Sequence, residues 1–257
     1  MIVAELVDGC PVNCAACWNR NRHGTYRQMS LATVEQVLER YGQSRIDWFN
    51  WGEPLWHDEF HEIAARVKGT ASRVSSNFSL QVSDERLRDL DSFQRVYVSL
   101  SGLTPETYRI YHRGGCFPLV EKNLERLIAH RQRGVVIRWI AHERNAHEET
   151  ACRERCQRWG VEFERVAMNG EVEDLLANVA YDVAPVGEVK HPGLRECRLL
   201  RWIVIGVDGQ YLLCCGSHNV PTGLTLDDPV TPEELMAAKR ALPLCRACHA
   251  RELWRRF

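Results

Sequence analysis

Residues 2–17 read Ile2-Val-Ala-Glu-Leu-Val7-Asp-Gly-Cys10-Pro-Val-Asn-Cys14-Ala-Ala-Cys17 and join an apolar, β-rich run to three closely spaced cysteines. Each of three thiolates at this spacing can bind a different iron of a cubane cluster, which leaves the fourth iron open to a small molecule. Ferredoxin clusters and structural zinc sites close with four protein ligands instead. A zinc ion completed by His23 or Asn13 is the alternative interpretation of the same cysteines.

Apolar runs and amphipathic stretches alternate along the first two-thirds of the chain. Leu31, Val34 and Leu38 show helical spacing, and Ser30 before them is a candidate N-cap. Because strand–helix alternation gives parallel βαβ units and six strands are too few for a closed eight-stranded barrel, we predict an α/β fold, a partial (β/α)6 barrel over residues 1–166. The predicted strands are Ile2–Val7, Ile46–Trp51, Arg73–Phe78, Arg95–Ser101, Val135–Ile140 and Val161–Val166, and the predicted helices are 31–42, 57–68, 84–91, 117–133 and 146–159.

Polar motifs follow the ends of successive predicted strands. Gly52-Glu53-Pro54 follows the second strand, Asn77 lies at the end of the third, and Ser99-Leu100-Ser101 ends the fourth. Sites in barrels of this kind form at the carboxyl ends of the strands. We therefore expect these motifs to converge with the three cysteines at one mouth of the barrel.

The cysteine run after a first strand resembles the signature of the radical S-adenosylmethionine (radical SAM) superfamily, over about residues 1–166. The resemblance implies a [4Fe-4S] cluster on Cys10, Cys14 and Cys17 that donates an electron to S-adenosylmethionine bound at the open iron. It implies cleavage to methionine and a 5′-deoxyadenosyl radical, which abstracts hydrogen from a substrate. An external one-electron reductant such as flavodoxin or ferredoxin is the implied partner.

Other positions resemble the cofactor-binding landmarks of that superfamily. Gly52-Glu53-Pro54 resembles the turn that holds the methionine amino group, with Trp51 where a glycine is usual. Asn77 resembles the polar residue that approaches the methionine carboxylate. Ser101 stands where an aspartate is usual near the ribose. The resulting cofactor-binding candidates are Gly52, Glu53, Pro54, Asn77, Ser99, Ser101 and, as a carboxylate partner, Arg113.

A second group of cysteines lies in the last quarter of the chain, after a predicted linker at 167–196. An Asp208-Gly209 turn predicts a β-hairpin over Trp202–Cys214, and a helix is predicted at Glu233–Arg240. The group resembles the Twitch domain, a shortened SPASM domain, over residues 197–257, which implies an auxiliary [4Fe-4S] cluster. Structural zinc is the alternative, and Cys215 could replace Cys214. The implied ligands are Cys197, Cys214, Cys245 and Cys248.

Four cysteines fall outside both metal-binding groups. Cys116 and Cys215 are candidate hydrogen-atom donors to a substrate radical, as an epimerase requires. A buried small thiol is the simpler interpretation of each. Cys152 and Cys156 lie one helical turn apart and are interpreted as structural thiols.

Composition narrows the class of protein. The net charge of −1 gives no basic excess for nucleic acid, and no apolar run is long enough to cross a membrane. Eleven cysteines, an odd number, favour metal binding over disulfides, and the N-terminus lacks the features of a signal peptide. We therefore expect a cytoplasmic protein.

Two enzymatic functions fit these observations. The first is net oxidation of a small molecule, such as a sugar or aminocyclitol, in a biosynthetic pathway, supported by the auxiliary cluster. No peptide-docking module precedes the first predicted strand, which favours this hypothesis. The second is crosslinking or epimerisation of a ribosomally made peptide. A non-enzymatic interaction protein that bears zinc or a cluster is a third interpretation, which the crowded strand-end motifs disfavour.

Overall fold

A computed structural model of the chain describes residues 1–15, 17, 26–131, 133–167, 198–217 and 219–247. Nine strands in this part of the chain form one sheet, and two further short strands, β2 and β3, pair as a separate antiparallel ribbon. The strands are β1 (Ile2–Ala4), β2 (Val7–Asp8), β3 (Arg27–Gln28), β4 (Ile46–Asp47), β5 (Ser72–Ser76), β6 (Arg95–Leu100), β7 (Val135–Ala141), β8 (Glu162–Ala167), β9 (Ile203–Ile205), β10 (Gln210–Leu212) and β11 (Pro221–Thr225).

The large sheet is open and mostly parallel. Its spatial order is β11-β10-β9-β1-β4-β5-β6-β7-β8, and all neighbours from β9 to β8 run parallel. The predicted α/β partial barrel is thereby confirmed. The predicted hairpin, β9 with β10, forms around Gly209, whose positive φ of 74° suits glycine. It continues the barrel sheet because β9 pairs with β1, placing Ile205 beside Ala4.

Helices cover one face of the sheet, and the main apolar core lies between the helices and the sheet. Trp48, Tyr108 and Trp139 are fully buried there. On β5, Val74 faces this core, whereas Arg73 and Ser75 alternate to the other, inner face. No helix of the described residues is long and apolar enough to cross a bilayer. The helices are α1 (Leu31–Tyr41), α2 (Phe60–Val67), α3 (Asp84–Asp89), α4 (Pro105–Tyr111), α5 (Phe117–His130), α6 (Glu149–Trp159), α7 (Pro232–Ala241) and α8 (Pro243–Ala247), with 3-10 turns at Pro54–Trp56, Leu90–Ser92, Glu143–Glu148 and Arg198–Arg201.

Several elements differ from the sequence prediction. The single strand predicted at Ile2–Val7 is broken at Glu5, and the second predicted strand leaves the ladder after Asp47. Helix α4 and strand β11 were not predicted, although a Thr104–Thr107 capping box opens α4. The predicted linker 167–196, except for Ala167, lies outside the described residues.

Candidate functional site

One cleft at the carboxyl ends of the parallel strands gathers the three N-terminal cysteines with the motifs of the neighbouring strand ends. Gly52, Glu53, Asn77 and Ser99 lie with the cysteines as the sequence predicts, whereas Pro54 and Ser101 do not line the cleft. Among the lining residues that the sequence did not single out, Phe49 and Asn50 follow β4, and Tyr111 and His112 lie at the end of α4. The full lining comprises Cys10, Cys14, Cys17, Phe49, Asn50, Trp51, Gly52, Glu53, Ser75, Ser76, Asn77, Ser99, Tyr111, His112 and Ile140.

The cysteine loop is held by backbone hydrogen bonds to the last residue of α4 and to the segment that follows it. The Asn13 amide donates to the Arg113 carbonyl, and the Ala15 amide donates to the Tyr111 carbonyl, both at 2.8 Å. The Cys17 thiol lies 3.9 Å from the Trp51 carbonyl oxygen. The cysteine loop is thus positioned by contacts from the end of α4 and from the segment after β4.

The Gly-Glu-Pro turn is organised by the buried carboxylate of Glu53. One carboxylate oxygen accepts from the Asn77 backbone amide at 2.8 Å and from its side-chain amide at 2.6 Å. The other oxygen accepts from the Leu55 amide at 3.1 Å. The Asn77 side-chain nitrogen also lies 3.3 Å from the Cys10 sulfur. Glu53 and Asn77 therefore connect two strand ends to a cysteine of the loop.

Glu5 binds the backbone of the same turn, and the sequence analysis did not identify it as a site residue. Its side chain is buried, and one carboxylate oxygen accepts from the Trp51 and Gly52 amides at 3.0 and 3.2 Å. Burial raises the pKa of Glu5 to about 7, against the lowering effect of these amides. An acidic residue inside an otherwise apolar strand, between Ala4 and Leu6, was the available signal.

We expect Glu5→Gln to flatten the pH dependence of stability of the metal-free chain. The raised pKa means that the folded chain keeps the Glu5 proton from about pH 4.5 to about 7 while the unfolded chain releases it. Unfolding free energy therefore falls as pH rises through this window, by on the order of 3 kcal/mol from this group. Glutamine keeps an acceptor oxygen and removes the titration.

Urea unfolding of the metal-free protein between pH 5 and pH 8 measures this slope. The exposed carboxylate variant Glu39→Gln is the matched control and should keep the wild-type slope. Glu53 also makes the unfolding free energy fall as pH rises, because burial raises its pKa to about 7 as well. An unchanged slope in Glu5→Gln contradicts the role assigned to the buried carboxylate.

The surroundings of Cys10 and Cys14 favour the protonated thiols over bare thiolates. Burial raises the pKa of Cys10 and Cys14 well above the usual range, and the neighbouring cysteines and Glu53 raise them further. A bound metal cluster replaces those protons and supplies the missing positive charge. Among the described residues, no three metal-ligating side chains converge on a single ion. A cubane does not require this, since each thiolate binds a different iron, so the donor set fits a cluster.

Of the remaining cofactor-binding candidates, only Ser99 is among the residues that line the cleft, and Ser101 and Arg113 are not. Ser101 is fully buried, and its hydroxyl lies 2.6 Å from Nδ1 of His112, which does line the cleft. Burial lowers the pKa of His112 to about 3, so its imidazole is neutral. Arg113 approaches the cysteine loop through its backbone carbonyl.

The C-terminal cysteines separate into two environments. Cys214 packs with buried Cys245 in an apolar cluster that includes Leu200 and Leu213, whereas the adjacent Cys215 packs against Val3 and Val204. The other two implied ligands, Cys197 and Cys248, lie outside the described residues.

Lys239 and Cys116 both lie outside the lining of the cleft. Lys239 of α7 is fully buried near Cys214, Cys215 and Cys245, and burial lowers its pKa to about 8 while these thiols raise it. Cys116 precedes α5, and its amide donates to the Ser79 hydroxyl at 2.5 Å. Cys116 and Cys215 both lie outside the cleft lining.

A sequence model described as the radical SAM superfamily matches residues 5–153, more than half of the chain. The chain belongs to the radical SAM superfamily. Members of this superfamily are enzymes that use S-adenosylmethionine and a [4Fe-4S] cluster. The matched residues include the cysteine loop, the Gly-Glu-Pro turn and the first strand ends that line the cleft.

Individual radical SAM proteins resemble the chain at lower identity. A probable GTP 3′,8-cyclase of Methanococcus maripaludis is 24% identical over 192 residues, which is 72% of this chain and 63% of that protein. The structure of anSMEcpe with bound AdoMet and Cp18Cys peptide has a TM-score of 0.64 at 15% identity and covers 98% of this chain and 85% of that one. The structure of BtrN in complex with AdoMet and 2-DOIA has a TM-score of 0.53 at 14% identity and covers 97% of this chain and 92% of that one. Both structures share the fold.

Proposed function

We propose that this radical SAM enzyme carries out net oxidation of a small polar molecule, of sugar or aminocyclitol type, in a biosynthetic pathway. The observation that carries the proposal is the joint placement of three half-buried thiols and the Glu53-organised turn in one cleft. Cys10, Cys14 and Cys17 would hold the SAM-binding [4Fe-4S] cluster. When bound, that cluster supplies the electron that cleaves S-adenosylmethionine to methionine and a 5′-deoxyadenosyl radical.

The protein's own residues would position the cofactor around this cluster. The turn at Gly52-Glu53-Pro54 would offer its backbone to the methionine amino group, and Asn77 would approach the methionine carboxylate. Ser99 would lie near the ribose. His112 would line the cleft as a neutral imidazole, and its lack of charge would limit competing proton transfer. Arg113 and Ser101 would support this arrangement from behind the cysteine loop and α4.

We further propose that residues 197–257 form a Twitch-like unit with one auxiliary [4Fe-4S] cluster, after a linker at 167–196 and a barrel at 1–166. Cys214 packs against the apolar cluster that contains Cys245, which supports Cys214 as the ligand. Cys215 packs instead against the apolar cluster that contains Val3 of β1 and Val204 of β9. The auxiliary cluster would accept the second electron of an oxidation. Cys197 and Cys248 would complete its ligands.

Two substrate classes remain as candidates. The name of the M. maripaludis relative indicates a nucleotide substrate, which favours a small polar molecule here. The peptide bound by anSMEcpe supports the second candidate, modification of a ribosomally made peptide. A flavodoxin- or ferredoxin-type reductant would serve either reaction, in the cytoplasm.

Cluster content and product mass test the proposal together. Anaerobically reconstituted enzyme should contain roughly eight iron and eight sulfide per chain for two cubane clusters. In an oxidation, the radical takes a hydrogen atom from a substrate carbon, and a second electron and a proton then leave, so the product is lighter by about two hydrogen masses. About four iron with one zinc contradicts the auxiliary cluster. Solvent deuterium in a product of unchanged oxidation state contradicts oxidation and supports epimerisation.

A further inference from the structure

The side chain of Arg138 lies on the inner face of the sheet, directly beside the cleft. On β7, Ile137 and Trp139 face the main core. The alternate positions, Arg138 and Ile140, therefore face the inner side. Ile140 lines the cleft, and so does Ser99 of β6, which is paired in register with Arg138. Neighbouring strands are about 4.8 Å apart, a distance that an arginine side chain spans easily.

Two aromatic rings hold the guanidinium of Arg138 in place. Its central carbon, Cζ, lies 4.1 Å from the centre of the Tyr97 ring and 5.5 Å from that of Phe49, which lines the cleft. Cation–π contacts of this kind position an arginine without neutralising its charge. Tyr97 is itself fixed, because it is buried and its hydroxyl accepts from Arg73 at 2.8 Å. The guanidinium is thus preorganised, so little side-chain entropy is lost when a ligand binds it.

The positive charge of Arg138 is only loosely matched by its partner. The carboxylate of Glu164, on β8, lies 3.4 Å from Nη2 of Arg138, and 43% of the Glu164 side chain is exposed. By contrast, Arg73 on the same face makes two hydrogen bonds to the Asp47 carboxylate. Nε of Arg138 is buried and has no hydrogen-bond partner among the described residues. Exposed ion pairs contribute little, and a buried donor without a partner is rare in folded proteins, so this guanidinium can bind a second anion.

We infer that Arg138 binds a negatively charged group of the substrate, a carboxylate or a phosphate, at the side of the cleft formed by β6 and β7. This inference rests on the proposed oxidation of a small polar molecule, and it narrows the substrate to sugar-type compounds that carry an acidic group. Arginine suits both groups, because its planar guanidinium donates two parallel hydrogen bonds to a carboxylate or a phosphate. The rest of the molecule would then lie in the cleft beside Ser99 and Ile140. A positively charged aminocyclitol is disfavoured by the same guanidinium.

Binding of four monosaccharides of different charge tests the inference. The probes are glucuronate, glucose 6-phosphate, glucose and glucosamine, each titrated calorimetrically into anaerobically reconstituted enzyme with saturating S-adenosylmethionine and no reductant. Arg138→Gln removes the charge, and Arg138→Lys keeps the charge without the planar fork. Glu164→Gln removes the competing carboxylate. Arg158→Gln, at an exposed arginine of α6, is the matched control.

The wild-type enzyme should bind one of the two acids about tenfold more tightly than glucose, the scale of a charge-assisted hydrogen bond, and should bind glucosamine more weakly than glucose. Arg138→Gln should lose this preference, and Arg138→Lys should keep part of it. Glu164→Gln should bind the acid about threefold more tightly, the scale of a solvent-exposed ion pair. Arg158→Gln should match the wild type. A preference for glucuronate alone identifies a carboxylate, and a preference for glucose 6-phosphate alone identifies a phosphate.

A wild-type enzyme that binds neither acid more tightly than glucose overturns the inference, and so does an Arg138→Gln variant that keeps the wild-type preference. If melting curves show that Arg138→Gln does not fold, Glu164→Gln decides, and unchanged acid binding in that variant rejects the role of Arg138. Weaker S-adenosylmethionine binding by Arg138→Gln with an intact acid preference assigns the arginine to the cofactor instead. Failure of the proposed oxidation is detected separately, by product mass, and does not alter the charge preference measured here.

Discussion

Cys14→Ala should release 5′-deoxyadenosine from S-adenosylmethionine at least about 10³-fold more slowly than the wild-type enzyme, the scale of loss when one member of a catalytic unit is removed. The residue after Cys14, Ala15, donates a backbone hydrogen bond to Tyr111, so the substitution should leave the cysteine loop in place. What is lost is one of three thiolates, and with it one corner of the cluster. The measurement is chromatographic detection of 5′-deoxyadenosine after anaerobic reconstitution and reduction by dithionite.

Cys156→Ala is the matched control, because Cys156 is buried in the main core on α6, away from the cleft. It should keep its iron and its 5′-deoxyadenosine yield, at a stability cost of about 1 kcal/mol. Cys14→Ala should lose the iron of one cluster and retain that of the other. If Cys14→Ala forms 5′-deoxyadenosine at the wild-type rate, the assignment of the cluster to this loop is wrong.

The sequence predicted the features that are encoded locally. Strand–helix alternation gave the parallel barrel, and spacing of Cys10, Cys14 and Cys17 directly after a strand gave the place of the site. Capping also works locally, since Ser30 accepts from the Thr33 amide as expected for an N-cap. Such signals need only a few neighbouring residues, so they can be recognised without the fold.

The features that the sequence did not predict depend on contacts between distant segments. The first strand is broken at Glu5, where the carboxylate accepts hydrogen bonds from the amides of Trp51 and Gly52. Only the fold brings these amides close to Glu5. His112 reaches the cleft because α4 packs under the cysteine loop. The C-terminal hairpin joins the barrel sheet through the pairing of β9 with β1, which no local pattern specifies.

Gly52 shows how closely the turn approaches the first strand. A Cβ built on Gly52 would lie 1.6 Å from the Val7 carbonyl oxygen and 3.0 Å from that of Gly9. These are backbone atoms, and they are fixed by the β2–β3 pairing and by the Glu53 amide, which donates to the Gly9 carbonyl at 2.8 Å. A side chain at this position can be accommodated only if the turn moves away from the cysteine loop.

Gly52→Ala should therefore lower the unfolding free energy by at least about 3 kcal/mol, the upper end of overpacking costs, or roughly 10 °C in melting temperature. Displacing the turn also separates the amides at 51 and 52 from Glu5, so 5′-deoxyadenosine formation should fall with stability. Thermal unfolding and the product assay measure the two effects. Gly206→Ala is the matched control, because its Cβ would meet only the flexible tip of Leu212 at 3.3 Å, which can shift by tenths of an ångström. Equal melting temperatures for the two variants would show that the turn is free to move and that glycine is not required at position 52.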